Sequence, residues 1–148
     1  ITVRSLHAPL FLYPSSASLP VGLYMRSFET VQVGSIVAFP VPAVARRYQE
    51  HNGNNVPHDY LFIKPVAAGP GDRVCNDPVN GLQINGVWLA PVAKSDSRGK
   101  SLPVWRSCRL LRDKEFFLFS NTVPNSFDSR YYGTVQDRQI RASYRRVS

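Results

Sequence analysis

Long apolar stretches are missing from this chain of 148 residues. No segment approaches the roughly 18 to 20 consecutive apolar residues that a membrane-spanning helix requires. Nor is there a charged and then apolar leader that ends in a small-residue cleavage site. The chain begins at Ile1 rather than Met, and we therefore expect it to be a trimmed piece of a longer protein that has lost an amino-terminal anchor.

Histidine and cysteine are scarce. The chain has three histidines; two of them, His51 and His58, lie in Asn-rich sequence without helical spacing or a clear third ligand. This pattern argues against a metal site, and we expect no metal and no cofactor. The two cysteines, Cys75 and Cys108, leave two alternatives open. A disulfide closing a loop of about 33 residues would stabilise the fold by roughly 3–4 kcal/mol, and two buried thiols are the other alternative.

Acidic residues are outnumbered by basic ones, 10 to 18, which gives a formal net charge of +8. Four of the 18 are lysines, so 14 are arginines, and these are spread along the chain. A dispersed excess is typical of a solvated face, and contact with an anionic membrane surface is the functional alternative. The sequence has no recognition motif or aromatic–basic platform for nucleic acid, so we expect no nucleic-acid partner.

Short apolar segments between turn residues predict a mainly β fold. We expect one domain over residues 1–148, with antiparallel sheets around a single core and one possible short helix at 42–50. The Asn85-Gly86 pair between apolar flanks predicts a two-residue hairpin, because both turn positions need positive φ. The polar stretch 92–102 predicts a surface loop. The predicted strands are 35–39, 60–66, 82–89, 115–119 and 139–144.

The most unusual residue is Lys64, which lies inside the apolar run 61–66. Strand alternation places Phe62, Lys64 and Val66 on one face, so the amine is expected to share an apolar surface. Burial lowers the pKa of a lysine because it disfavours the charged form. A neutral lysine can accept the proton of a serine hydroxyl and so replace the histidine of a Ser–His–Asp triad. The structural alternative is an edge-strand lysine whose amine reaches water.

Three separated segments surround this lysine in a characteristic order. They are Ser16-Ala17-Ser18-Leu19-Pro20-Val21-Gly22-Leu23-Tyr24, Gly69-Pro70-Gly71-Asp72-Arg73-Val74 and Asn125-Ser126-Phe127-Asp128-Ser129-Arg130-Tyr131-Tyr132-Gly133. Together they resemble the conserved boxes of type I signal peptidases. The short serine segment is most similar to the TraF-type conjugative-transfer peptidases of that superfamily. The resemblance spans about residues 14 to 133.

The resemblance implies a catalytic role for two residues and a supporting role for others. Ser18 matches the family nucleophile and Lys64 the general base. Ser16 matches the residue whose hydroxyl lines the oxyanion hole together with the backbone N–H of Ser18. Such preorganised donors are typically worth a few kcal/mol in the transition state.

The last segment supplies the remaining matched residues. Ser126 matches the serine that orients the lysine amine, and Asp128 and Arg130 match a structural ion pair beneath the site. Two positions depart from the pattern: Pro14 replaces the usual Asn, and Ser120-Asn121 replaces the Gly-Asp that opens the last box. The first departure concerns the approach to the nucleophile, and the second concerns the shape of that turn.

The resemblance also implies a function and a location. A serine endopeptidase at the periplasmic face of a bacterial inner membrane would process, and in some members cyclise, a pilin precursor with small residues near the scissile bond. Two alternatives stay open. One is a general leader peptidase that removes signal peptides from exported proteins, and the other is a noncatalytic exported β module that binds a peptide or membrane component.

Overall fold

A computed structural model of the protein describes residues 2–4, 8–13, 19–122 and 125–147. These residues form twelve strands, two α-helices and one 3₁₀ turn. The strands are β1 (Thr2–Arg4), β2 (Phe11–Leu12), β3 (Tyr24–Ser27), β4 (Ile36–Pro40), β5 (Tyr60–Ala68), β6 (Arg73–Asp77), β7 (Gly81–Ile84), β8 (Val87–Ala90), β9 (Ser107–Leu110), β10 (Glu115–Leu118), β11 (Val135–Gln136) and β12 (Ala142–Arg146). The helices are α1 (Ala43–His51) and α2 (Ser129–Tyr132), and the 3₁₀ turn is Asp137–Gln139.

The strands assemble into two antiparallel sheets. The larger sheet has eight strands in the order β11-β10-β5-β4-β12-β3-β2, with β1 also paired to β5. The smaller sheet has the order β8-β7-β6-β9. The predicted mainly β, antiparallel architecture is therefore confirmed, and among the described residues no helix is long and apolar enough to cross a membrane.

Strand β5 is central to the larger sheet because it pairs along both edges. One edge pairs with β4, and the other pairs first with β1 and then with β10. Side chains of alternating residues on β5 enter different groups of buried residues. Phe62 and Val66 belong to one apolar cluster, and Leu61 and Ile63 belong to another. This alternation gives Lys64 the same face as Phe62 and Val66, as the sequence predicted.

The predicted hairpin, helix and loop are observed with small shifts. Asn85 and Gly86 have φ values of 51° and 82° and connect β7 to β8, as expected for a type I′ turn. Helix α1 begins one residue after Pro42 and ends before Gly53, whose φ is 85°. Most residues of the 92–102 segment are exposed.

The last predicted strand begins later than expected. The backbone N–H of Gln136 donates to Oε1 of Gln139 at 2.8 Å, which closes a capping box around the 3₁₀ turn. This local hydrogen bond uses residue 139 in a turn, and β12 starts only at Ala142. Local side-chain capping therefore overrides the apolar pattern that predicted a strand from residue 139.

Candidate active site

Lys64 is a buried lysine in the middle of β5, with 7% of its surface exposed. Its backbone position pairs with Val37 of β4, and it lies between Phe62 and Val66 on the apolar face of the strand. It does not lie on an edge strand, so the alternative of an amine that reaches freely into water does not describe it. No hydrogen bond joins its amine to another residue in the described ranges.

The pKa of Lys64 is lowered from its ordinary value. Burial is the main cause, because an apolar environment disfavours the ammonium form. The negative charge of Asp128 acts in the opposite direction, and the positive charge of Arg130 lowers the pKa further. The environment therefore shifts the amine towards its neutral form, which is the form that can accept a proton.

Asp128 is a fully buried acceptor whose charge acts on this lysine. Its carboxylate accepts hydrogen bonds from the Ser126 hydroxyl at 2.8 Å and from Arg130 Nε and Nη2 at 2.8 and 2.9 Å. Such a two-pronged Arg–carboxylate pair fixes both position and orientation. The ion pair expected from the resemblance is therefore present, with Ser126 bonded to it.

Arg130 is 1% exposed, and further contacts support its charge. Its Nη1 donates to the carbonyl oxygen of Pro91 at 2.7 Å, and Nη2 donates to the carbonyl oxygen of Ser126 at 3.0 Å. The guanidinium also lies over the rings of Phe119 and Tyr131, 4.9 and 5.1 Å from their centroids. These contacts replace water around a buried cation and fix the guanidinium beside Asp128.

The one-turn helix α2 explains why these residues converge. Asp128 precedes the helix and its carboxylate accepts the backbone N–H of Arg130 at 3.1 Å, which is N-capping geometry. Ser129 faces the larger sheet, where its hydroxyl accepts the backbone N–H of Leu118 at 2.9 Å. Gly133 ends the helix with φ of 88°. Within the Asp-Ser-Arg sequence, Asp128 thus both caps the helix and forms the buried ion pair with Arg130.

The predicted nucleophile Ser18, the oxyanion residue Ser16 and the substituted position Pro14 lie outside the described residues. The described chain resumes at Leu19, which is 2% exposed and belongs to the same buried cluster as Ile63. The hydroxyl of Tyr24 donates to the carbonyl oxygen of Pro20 at 2.7 Å and holds this segment. The residue after Ser18 and the residue before Lys64 therefore share one apolar cluster.

A cavity of about 530 Å³ lies next to these two segments. Its lining includes Leu19, Pro20 and Pro65, together with Ser120 and Asn121, the pair that departs from the family pattern. In that turn the hydroxyl oxygens of Ser120 and Thr122 are 2.8 Å apart. The substituted turn thus forms one wall of the cavity through short polar side chains.

Sequence reasoning missed Asn76, which links the smaller sheet to the site. It is fully buried on β6, and its side-chain amide donates to the carbonyl oxygens of Trp105 and Arg130 at 2.7 and 3.0 Å. Val74 and Asn76 are the two buried positions of β6, and strand alternation places them on one face. The sequence did contain a signal for this residue, because Asn76 is polar and lies two positions after the apolar Val74, on the same face of the strand.

Tyr132 lies in the last of the three resembling segments, where the resemblance implied no role for it. Its hydroxyl is buried and has no hydrogen-bond partner among the described residues. Burial raises its pKa well above the ordinary value, and the charge of Asp128 adds to this effect. Its ring packs against Phe62 at 5.9 Å between centroids, so Tyr132 forms part of the apolar wall on the same face as the lysine.

The two cysteines form a disulfide that joins β6 to β9. Cys75 and Cys108 are opposite each other in the strand register. Of the two alternatives that the sequence left open, the structure therefore has the disulfide. It lies one residue from Asn76 and so braces the strand that reaches the site.

Comparison with known proteins gives relatives of one kind. A plasmid transfer protein TraF of Escherichia coli is 35% identical over 135 residues, which cover 85% of this chain and 76% of that protein. A second E. coli plasmid transfer protein TraF is 33% identical over 144 residues, 90% of this chain and 79% of that protein.

A solved structure, a signal peptidase I from Enterococcus faecalis V583, is 22% identical, with a TM-score of 0.44 over 82% of this chain and 100% of that one. The family comparison covers nearly the whole chain, since residues 12–147 match the family described as signal peptidase, peptidase S26. This chain belongs to the signal peptidase family, peptidase S26.

Proposed function

We propose that the protein is a serine endopeptidase of the signal-peptidase type, with Ser18 as nucleophile and Lys64 as general base. The observation that carries the proposal is the buried Lys64 amine, whose pKa is lowered by its apolar surroundings. Membership of a peptidase family supports the reaction class.

The proposed reaction proceeds by acyl transfer. The neutral Lys64 amine takes the proton of the Ser18 hydroxyl, and the serine oxygen attacks the scissile carbonyl carbon. The Ser16 hydroxyl and the Ser18 backbone N–H donate to the resulting oxyanion. The intermediate collapses when the C–N bond breaks, and the leaving amine takes the proton from the Lys64 ammonium. Water then attacks the Ser18 ester and releases the carboxylate product, or a substrate amine attacks it and forms a new amide.

In this proposal the supporting residues orient the Lys64 amine. Ser126 donates to Asp128, so its oxygen lone pairs are directed away from that carboxylate and are available to a lysine N–H. Asp128 is itself fixed by Arg130 at two points. The hydrogen-bonded group of Ser126, Asp128 and Arg130 would therefore fix the orientation of the Lys64 amine while the pKa of Lys64 stays low.

The proposed substrate follows from the relatives. Both E. coli relatives are plasmid transfer proteins, so we propose a protein substrate of a plasmid transfer apparatus, a pilin precursor with small residues at the cleavage site. The proposed location is the periplasmic face of the inner membrane, where the 18 basic residues of the chain would favour an anionic lipid surface.

The dyad is tested by substituting each reactive residue in the full-length protein. Ser18→Ala and Lys64→Ala are expected to abolish processing of the pilin precursor in membranes, measured by mass spectrometry of the product. Ser15→Ala, three positions before Ser18 in the sequence, and Lys94→Ala, at an exposed lysine, are the matched controls and are expected to process normally. Unchanged processing in either dyad variant would rule out the mechanism. A product mass lower by one water would identify ring closure rather than hydrolysis.

A further inference from the structure

Helix α2 is in contact with both sheets, and its contact with the larger sheet places it beside the lysine. The Ser129 hydroxyl accepts the backbone N–H of Leu118 at 2.9 Å. The ring of Tyr132 lies 5.9 Å from the ring of Phe62, and both rings belong to one buried apolar cluster. This side of α2 therefore packs on the face of β5 that carries Lys64.

The smaller sheet contacts α2 through the side chain of Asn76. Its Nδ2 donates to the carbonyl oxygen of Trp105 at 2.7 Å and to the carbonyl oxygen of Arg130 at 3.0 Å. The backbone N–H of Trp105 donates to the same Arg130 carbonyl oxygen at 3.0 Å. Two donors thus fix the backbone of Arg130, and the Asn76 amide connects α2 both to β6 and to the segment before β9.

The burial of Asn76 is unfavourable in itself. The residue is fully buried, and its Oδ1 atom has no hydrogen-bond partner among the described residues. A buried polar atom without a partner destabilises the folded protein and calls for an explanation. Val74, the other buried position on this face of β6, is apolar. What an apolar residue at position 76 could not supply is the pair of N–H donors directed at Trp105 and Arg130.

The position of α2 determines the surroundings of the lysine amine. Burial is the main cause that lowers the pKa of Lys64. Among the described residues, the charges that act on this amine are those of Asp128, which raises its pKa, and Arg130, which lowers it. Tyr132, the neighbouring titratable group on α2, stays neutral because burial raises its pKa well above the ordinary value. A helix that moved away from β5 would therefore change both the hydration and the electrostatic environment of Lys64.

We propose that Asn76 is a positioning residue of the active site, because it ties the Arg130 carbonyl to the smaller sheet and so keeps α2 against the face of β5 that carries Lys64. The inference rests on the proposed function, in which Lys64 is the general base. Without the two donors, α2 would be held less firmly and water would reach the amine more often. Because water stabilises the ammonium form, the pKa of Lys64 would rise. Asn76 does not line the cavity of about 530 Å³ beside Leu19 and Pro65, so this change would leave that cavity intact.

Asn76→Leu removes both donors at similar side-chain size, and its pH–rate profile in the full-length protein tests the proposal. With a peptide that spans the cleavage site of the precursor, the acidic limb of kcat/KM should move to higher pH by about half a pH unit or more. At neutral pH, kcat should fall while KM stays within about twofold. Raising the pH should restore most of the lost rate, which partial unfolding would not allow. Val74→Ala, at the other buried position of this face, is the matched control; it should lower the melting temperature and leave the acidic limb in place.

Carbon-13 NMR of lysine-labelled protein measures the same effect without turnover. The chain has four lysines, and the signal of Lys64 is identified by its loss in Lys64→Met. The pKa of Lys64 should rise in Asn76→Leu by as much as the acidic limb moves. An unchanged pKa in a folded Asn76→Leu protein would overturn the inference, as would an equal rise in Val74→Ala.

If Asn76→Leu fails to fold, Asn76→Ser decides. Its single hydroxyl proton can bond only one of the two carbonyl oxygens, so the pKa of Lys64 should still rise, and an unchanged pKa in that variant would overturn the inference. The NMR result does not depend on the dyad. A rise in the pKa of Lys64 in a protein that never processes the precursor refutes the proposed function alone. A processing enzyme whose acidic limb is the same with and without Asn76 refutes this inference alone.

Discussion

Replacing Asp128 by Asn removes one negative charge from the interior while preserving side-chain shape and the capacity to cap α2. The wild-type carboxylate accepts four hydrogen bonds, one from Ser126 and three from Arg130. Without it, Arg130, at 1% exposure, remains buried without its counter-charge. Breaking a buried ion pair from one side costs about 3–5 kcal/mol. For a chain of this size, this corresponds to a melting temperature lower by about 6–20 °C.

The same substitution should alter the pH dependence of activity in a defined direction. Asp128 raises the pKa of Lys64, and Arg130 lowers it. When only the positive charge remains, the pKa of Lys64 falls further. Because the reactive form is the neutral amine, the acidic limb of kcat/KM is expected to move to lower pH, whatever the change in maximum rate.

Differential scanning calorimetry and pH–rate profiles well below the melting temperature measure the two effects separately. Asp113→Asn, at an exposed aspartate, is the matched control and should alter neither. A melting temperature within about 1 °C of the wild type would contradict the stabilising role of the ion pair. An acidic limb that stays in place or moves to higher pH would refute the electrostatic coupling between Asp128 and Lys64.

Three further predictions concern stability. Lys64→Met removes a buried amine and should raise the free energy of unfolding at neutral pH by about 1 kcal/mol in urea titrations, while processing is lost; a less stable variant would contradict the burial argument. The hydrogen bond from Arg109 is the main cause that lowers the pKa of Glu115 from 4.5 to about 2. The free energy of unfolding should therefore fall as the pH drops from about 4.5 towards 2, and Glu115→Gln should flatten this dependence in acid titrations followed by tryptophan fluorescence. Identical acid titration curves for the wild type and Glu115→Gln would contradict a stabilising ion pair between Arg109 and Glu115. Gly81 and Gly99 both have φ of 78°, but a Cβ at Gly81 would lie 2.7 Å from the carbonyl oxygen of Ala90, whereas Gly99 faces open space. Gly81→Ala should thus cost about 1–3 kcal/mol more than Gly99→Ala in thermal melts, and equal costs would show that the backbone at Ala90 does not restrict residue 81.

The environment of Lys64 could be predicted from sequence because strand alternation is a local property. Once residues 60–66 form a strand, Phe62, Lys64 and Val66 share a face whatever the rest of the chain does. The positive φ values of Asn85 and Gly86 are equally local. These predictions needed no knowledge of which strands pair.

The features that sequence reasoning missed depend on contacts between distant segments. Asn76 donates to the carbonyl oxygen of Arg130, 54 positions along the chain, and a cavity lined by Gln49 is formed partly by the 92–102 segment. Neither relation has a periodicity that a single sequence reveals. The ion pair of Asp128 and Arg130 was predicted through family resemblance. The four hydrogen bonds that the Asp128 carboxylate accepts are known only from the side-chain geometry of the structure.

Strand β12 lies inside the larger sheet between β4 and β3, although more than a hundred residues separate it from both in sequence. It pairs with each of them, and the N–H of Val147 donates to the carbonyl oxygen of Leu23, close to the segment that follows Ser18. Until residues 142–147 have been synthesised, β3 and β4 lack the strand that joins them. A peptidase assembled in this order would gain activity only after β12 has left the ribosome, so nascent chains shorter than this would cleave nothing.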